Sequence, residues 1–251
     1  MSSAIRSASD LRVNAMGQPI GYPVPGWRAR PRPPRTPLEG RLSRLEPLDP
    51  DRHAADLHAG NCQAGDPRDW TYLSYGPFET LDAYRAWADQ ATGNDDPLFY
   101  TIVDRPSGRA VGVASLMRID PVNGVIEVGH IKYAPALRRT TTATEAMYLL
   151  MRRVFDELGY RRYEWKCDAL NAPSRAAATR LGFVFEGIFR QAVVYKGRNR
   201  DTAWFSIIDR EWPALKLASE QWLARENFDA QGRQRRRLGD LIAEARAAVS
   251  R

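Results

Sequence analysis

The sequence predicts an α/β (α+β) domain, and three features carry that reading. Stretches of period-two alternation and stretches of helical spacing follow one another along the chain. The segment Ile126-Glu-Val-Gly-His-Ile-Lys-Tyr133 is an apolar strand whose parity changes at a glycine. After it, Ala143, Ala146, Met147, Leu150, Met151, Val154, Phe155 and Leu158 recur at spacings of three and four, a continuous helical stripe.

In chain order, residues 1–40 lack periodicity and hold Pro19, Pro23, Pro25, Pro31, Pro33, Pro34 and Pro37. That composition reads as an extended arm, either disordered or laid over the domain. Tyr22 and Trp27 point to docking, because unstructured tails carry few large aromatics. A domain over residues 41–213 opens with an apolar run at 42–48. Residues 49–58 and 80–90 read as helices, and 98–103 and 110–119 as strands about a turn at Arg105-Pro-Ser-Gly108.

Ile126 and Val128 share one face of the next strand, whereas beyond Gly129 the apolar positions are Ile131 and Tyr133. One extra residue predicts a β-bulge, which parts the strand from its neighbour and leaves backbone N–H groups free for a ligand carbonyl. Thr142 and Glu145 form a capping-box pair that places the helix start at Thr142, and Gly159 ends the helix. The amides of residues 139–143 then gather at a helix N-terminus beside Arg138 and Arg139, an arrangement that favours an anion.

Residues 163–167 alternate as a strand. Asn171 caps a helix with Pro173 in its first turn and Gly182-Phe183 at its end. Val184-Phe-Glu-Gly187 opens another strand, and residues 188–195 and 202–208 make a last hairpin around Lys196-Gly-Arg-Asn-Arg-Asp201. The extension 214–251 carries two helices, one with Leu215, Ala218 and Trp222 and one over 238–249. These are expected to pack on the domain or to pair with another copy as a homodimer.

A hydrophobic content of 43% and a charged content of 27% are ordinary for a soluble globular protein. No apolar run is long enough to span a membrane and the N-terminus lacks a signal-peptide block, so the expected location is the cytoplasm. Cys62 and Cys167 are too few for a disulfide framework, and no Cys/His cluster has metal-ligand spacing, so neither disulfide nor metal is expected. Cys167 reads as a small core residue. The net charge of +7 is concentrated at residues 28–44 and 233–237. It is read as solvated arginine, with nucleic acid an unexpected partner.

The ordered set Glu127-Val-Gly129, Arg138-x-x-x-x-Ala143-Thr-Glu-Ala146, Asn171-x-x-Ser174 and Leu181-Gly-Phe-x-x-Glu-Gly187 resembles the GNAT superfamily of acetyl-CoA-dependent N-acyltransferases. Within it, the branch containing the RimJ and RimL ribosomal-protein acetyltransferases is most similar. The resemblance implies a mixed, mostly antiparallel sheet with splayed central strands flanked by helices. It implies acetyl-CoA as co-substrate, with the pantetheine arm between those strands and no metal. Val128, Gly129, His130 and Ile131 would meet the pantetheine and acetyl group. Arg138, Arg139, Thr140, Thr141, Thr142 and Ala143 would form the pyrophosphate loop, and Asn171 and Ser174 would contact the arm and sulfur.

Thr141 stands where the family's loop has its central glycine, a position that permits positive φ and close approach to phosphate. That departure keeps open a second expectation, a catalytically weak or inactive module that binds a protein or nucleic-acid partner. The first expectation is transfer to a primary amine, a protein N-terminus or a small amine, directly within a ternary complex. Such transfer needs a base, a polarised carbonyl and a proton donor. Glu127, opposite Ile126 and Val128 and next to the bulge, is the first candidate base; His130 is the second. Ser174 is the candidate proton donor by resemblance.

Overall fold

The structure, a computed structural model, describes residues 12–64 and 66–249. Strands β1 (Arg12–Val13) and β2 (Pro19–Ile20) form a small hairpin. The proline-rich segment beyond it lies on the domain, the second of the two alternatives, and residues 1–11 of the expected arm lie outside the described residues. Trp27 anchors it: the indole Nε1 donates to the Val122 carbonyl at 2.8 Å, with the Arg30 guanidinium 4.5 Å and that of Arg161 5.7 Å from a ring centroid. A Cβ at Gly124 (φ +63°) would stand 2.5 Å from the Trp27 ring, so the turn beneath the indole requires glycine. Farther along, the Tyr160 hydroxyl donates to the Pro31 carbonyl, and Arg153 donates to Thr36 Oγ1 at 3.1 Å. Trp27→Ala is expected to lower stability by about 2 kcal/mol. Limited proteolysis checks this, with cleavage within residues 12–37 becoming faster than in the wild type.

The main sheet contains β3 (Leu38–Glu39), β4 (Ser43–Pro47), β5 (Leu98–Asp104), β6 (Arg109–Asp120), β7 (Val125–Tyr133), β8 (Arg162–Asp168), β9 (Val184–Tyr195) and β10 (Arg198–Ile208). Its order is β3-β4-β5-β6-β7-β8-β10-β9, with every neighbouring pair antiparallel except β7 and β8. That parallel pair is joined by a helical crossover, as parallel strands require.

Helices α1 (Pro50–His58) and α2 (Leu81–Thr92) cover one face, where Leu57, Tyr84, Trp70 and Phe99 pack together. Helices α3 (Thr141–Arg152), α4 (Ala172–Arg180), α5 (Trp212–Leu223) and α6 (Leu238–Val249) share the larger core on the other face. Met147, Leu150, Leu215, Leu241 and Ile242 meet Ile126, Val128 and Trp165 there. Both C-terminal helices therefore complete the core of their own chain. No helix among the described residues is long and apolar enough to cross a membrane.

Two local expectations are corrected. Helix α3 begins one turn-quarter earlier than Thr142. Thr140 is its N-cap, with Oγ1 accepting from the Ala143 amide at 3.1 Å. Glu145 makes no capping box; its buried carboxylate instead reaches across to the start of β4. It accepts from the amides of Arg41 (3.0 Å), Leu42 (2.7 Å) and Ser43 (2.6 Å) and from the Ser43 hydroxyl (2.9 Å). The final hairpin is also tighter than expected. Only Lys196 and Gly197, with φ of +49° and +69°, form its turn, and Arg198, Asn199 and Arg200 already pair with Tyr195, Val194 and Val193.

Candidate active site

The parity change at Gly129 is a bulge. Ser115 pairs with Gly129 and Val113 with Lys132, so His130 and Ile131 together stand opposite the single residue Ala114. His130 takes the strain, with φ +52°. On the other side, β7 and β8 pair only from Val125/Arg162 to Val128/Trp165. Beyond Val128 the two parallel strands part, and His130 and Ile131 have no register partner on either neighbour. Gly129 lets the strand pass close over Met117, since a Cβ there would lie 2.3 Å from its Sδ.

The parting opens a cleft of about 430 Å³. Glu127, Val128, Gly129, His130, Ile131, Asn171 and Ser174 all line it, so the structure brings these expected site residues together. Glu127 is 4% exposed. Its Oε2 lies 2.9 Å from Lys166 Nζ and 3.1 Å from Arg118 Nε. Burial raises its pKa above the usual carboxylate value and outweighs the opposing effect of Lys166. Lys166 also holds Glu164 at 2.6 Å and lies 3.9 Å from a Trp204 ring centroid.

His130 stacks on Tyr75 at 5.5 Å and tilts against Phe99 at 4.9 Å between ring centroids. Desolvation among these rings, aided by the Arg118 charge, pushes its pKa down to about 4. The imidazole is thus neutral and weakly basic near neutral pH. Asn171 caps α4 as expected, its side-chain oxygen accepting from the Ser174 amide at 3.1 Å. The Ser174 hydroxyl accepts from Trp165 Nε1 at 3.0 Å and stands within hydrogen-bonding reach of the Cys167 sulfur.

The loop before α3 lies apart from the lining of this cleft. Its left-handed residue is Arg139 (φ +59°), whereas Thr141 sits in the first helical turn. The conformation that the missing glycine would have supplied is therefore provided two residues earlier. The Thr140 hydroxyl donates to the Leu137 carbonyl and that of Thr142 to Asp104 Oδ1, so among the three threonine hydroxyls only that of Thr141 is unengaged among the described residues. The Thr141 and Thr142 amides also have no partner there and point out of a helix start flanked by Arg138 and Arg139. Arg138 is tied to Asp69 and to the Tyr133 carbonyl, the latter at 3.3 Å. Free amides beside Arg139 suit a pyrophosphate, and the bulge backbone, without register partners at His130 and Ile131, suits an amide-rich arm and a thioester carbonyl. The residues present therefore fit acetyl-CoA.

Arg118, Lys166 and Asp69 escaped the reading of the sequence. Lys166 alternates with Glu164 along β8, a period-two signal, but its contact with Glu127 depends on the parallel register of β7 and β8. No group of three or more His, Cys, Asp or Glu residues that could hold a metal occurs among the described residues.

A family model described as an acetyltransferase (GNAT) domain matches residues 43–184. Among solved structures, a GCN5-related N-acetyltransferase from Brucella melitensis is 50% identical, with a TM-score of 0.86 over 88% of this chain and 100% of that one. A GNAT-family protein from Chromobacterium violaceum is 45% identical, with a TM-score of 0.73 over 78% of this chain and 98% of that one. YdaF of Bacillus subtilis, provisionally named a ribosomal N-acetyltransferase, is 28% identical over 180 residues, 68% of this chain and 92% of YdaF.

Proposed function

We propose, from the premise that this chain belongs to the GNAT acetyltransferase family, that it acetylates a primary amine, a protein N-terminus or a small amine, by direct transfer within a ternary complex. The chain is an acetyl-CoA-dependent acyltransferase. The observation that carries the finer reading is the meeting of Glu127, the bulged backbone at His130–Ile131 and the Ser174 hydroxyl in one cleft.

Acetyl-CoA supplies an activated acetyl thioester. The chain's own groups supply the rest. The backbone N–H groups at the bulge orient and polarise the acetyl carbonyl, without the reorganisation that water would need. Glu127 takes a proton from the acceptor nitrogen, directly or through water, and its raised pKa suits that task. The Lys166 and Arg118 charges disfavour an ammonium beside them and so favour the neutral, nucleophilic amine. Ser174, its oxygen held by Trp165, turns its proton from Cys167 to the donor's sulfur when the thioester is bound. His130, with a pKa near 4, is the poorer base of the two candidates. The left-handed turn at Arg139 supplies the positive φ that Thr141 does not, which supports an active loop over a lost activity.

Initial rates measured over a grid of acetyl-CoA and amine concentrations test the ternary complex. Intersecting double-reciprocal lines are expected. Parallel lines would mean that an acetyl-enzyme forms first, and Cys167, which also lines the cleft, would become its natural carrier.

A further inference from the structure

We infer that β10 carries the acceptor-recognition wall: Arg200, Thr202 and Trp204 bind a carboxylate or carbonyl oxygen next to the reacting amine. This rests on the amine-acetylation reading above and narrows its substrate class.

The carboxylates that line the cleft are Asp69, Glu127 and Asp168, and each is already matched. Asp69 holds Arg138 and Lys132, and Glu127 holds Lys166 and Arg118. Asp168 accepts from the Tyr195 hydroxyl at 2.8 Å and the Leu170 amide at 2.9 Å. Of the three, Asp168 alone lacks a cationic partner, and both of its oxygens are already engaged by donors of the chain itself, so these walls offer a polycationic amine little to bind.

The donors are in the opposite condition. Arg200, Thr202 and Trp204 occupy alternate positions of β10 and all line the cleft. Arg200 Nε, the Thr202 hydroxyl and Trp204 Nε1 are buried without a hydrogen-bond partner, and Thr202 is only 4% exposed. Arg200 forms no ion pair among the described residues; its guanidinium lies 5.9 Å from the Tyr195 ring centroid. Buried polar groups are rarely left unpaired, so three on one strand face mark a surface that a ligand completes. Indole and guanidinium N–H groups only donate, so the complementary ligand atom is an acceptor, an oxygen and not an ammonium. Lys166, 3.9 Å from the Trp204 ring centroid, contacts Glu127, so the Trp204 end of this wall lies beside the candidate base.

The test compares four acceptors with the intact protein, following CoA release: trialanine, alanine, ethylamine and spermidine. Trialanine or alanine is expected to exceed ethylamine and spermidine in kcat/KM by roughly tenfold or more. Arg200→Met and Thr202→Val should raise KM for the favoured acceptor by roughly ten- to a hundredfold, leave KM for acetyl-CoA unchanged and abolish the preference over ethylamine. A larger loss for alanine on Arg200→Met marks a carboxylate as the recognised oxygen, and a larger loss for trialanine on Thr202→Val marks a peptide carbonyl. Preference for spermidine or ethylamine overturns the inference while leaving amine acetylation intact. So does a rise in KM for acetyl-CoA that matches the rise for the acceptor. Acetyl-CoA binding with no transfer to any of the four amines would overturn the amine reading, and the inference with it.

Discussion

Glu127→Gln lowers kcat by about a hundred- to a thousandfold, within the range that a positioned general base contributes. The change is nearly isosteric, and acetyl-CoA affinity should stay close to that of the wild type. The pH profile makes the assignment specific. Glu127 accepts a proton only when ionised, and burial raises its pKa above the ordinary carboxylate value. In the wild type, kcat/KM therefore falls as pH drops through that raised pKa. In Glu127→Gln this limb disappears, while the limb from the amine's own titration remains. Initial rates between pH 4 and pH 9 separate the two. A variant that keeps the wild-type rate and acid limb would remove Glu127 from the chemistry.

Glu145→Ala has the largest expected effect on stability. Its carboxylate takes the amides of Arg41, Leu42 and Ser43 and the Ser43 hydroxyl, and so ties α3 to the β3–β4 edge of the sheet. Truncation leaves four donors without their acceptor in a buried place, and water reaches them poorly. The loss should be about 4 kcal/mol, allowing for partial compensation between neighbouring donors. For a chain of this length that corresponds to a fall in Tm of roughly 10 °C by calorimetry. Glu145→Gln keeps one accepting oxygen and should lose about half as much. Gly40 belongs to the same device, since a Cβ there would lie 2.5 Å from Glu145 Oε2.

These two glutamates show what the sequence discloses and what it hides. The bulge was legible because a parity change along one strand is a local pattern, and Gly129 marked its place. Helix α4 was legible for the same reason: Asn171, Pro173 and Gly182 are all read within a dozen residues. The start of α3 was misread because Thr142 and Glu145 have the spacing of a capping box. The choice between Thr140 and Thr142 as cap was made by the left-handed turn at Arg139 and by the distant amides that claim Glu145. The β10 strand was cut short because Arg198, Asn199 and Arg200 are polar, although a tight Lys196-Gly197 turn already pairs them. The cations around Glu127 were hidden because Lys166 reaches it from another strand and Arg118 from a third, and only the sheet order brings the three together.

The central claim is that acetyl-CoA lies in the parting of β7 and β8 with its pyrophosphate at the start of α3. Calorimetric titration with acetyl-CoA of the wild type and of Thr141→Asp tests it most directly. An aspartate in the first turn is favourable to the helix itself, so the variant should fold at least as stably as the wild type. Beside a bound pyrophosphate the same charge is repulsive. Micromolar binding is expected in the wild type and a loss of at least about tenfold in Thr141→Asp, with Tm unchanged or raised. Equal affinity in the two proteins would place the phosphates elsewhere and contradict the account.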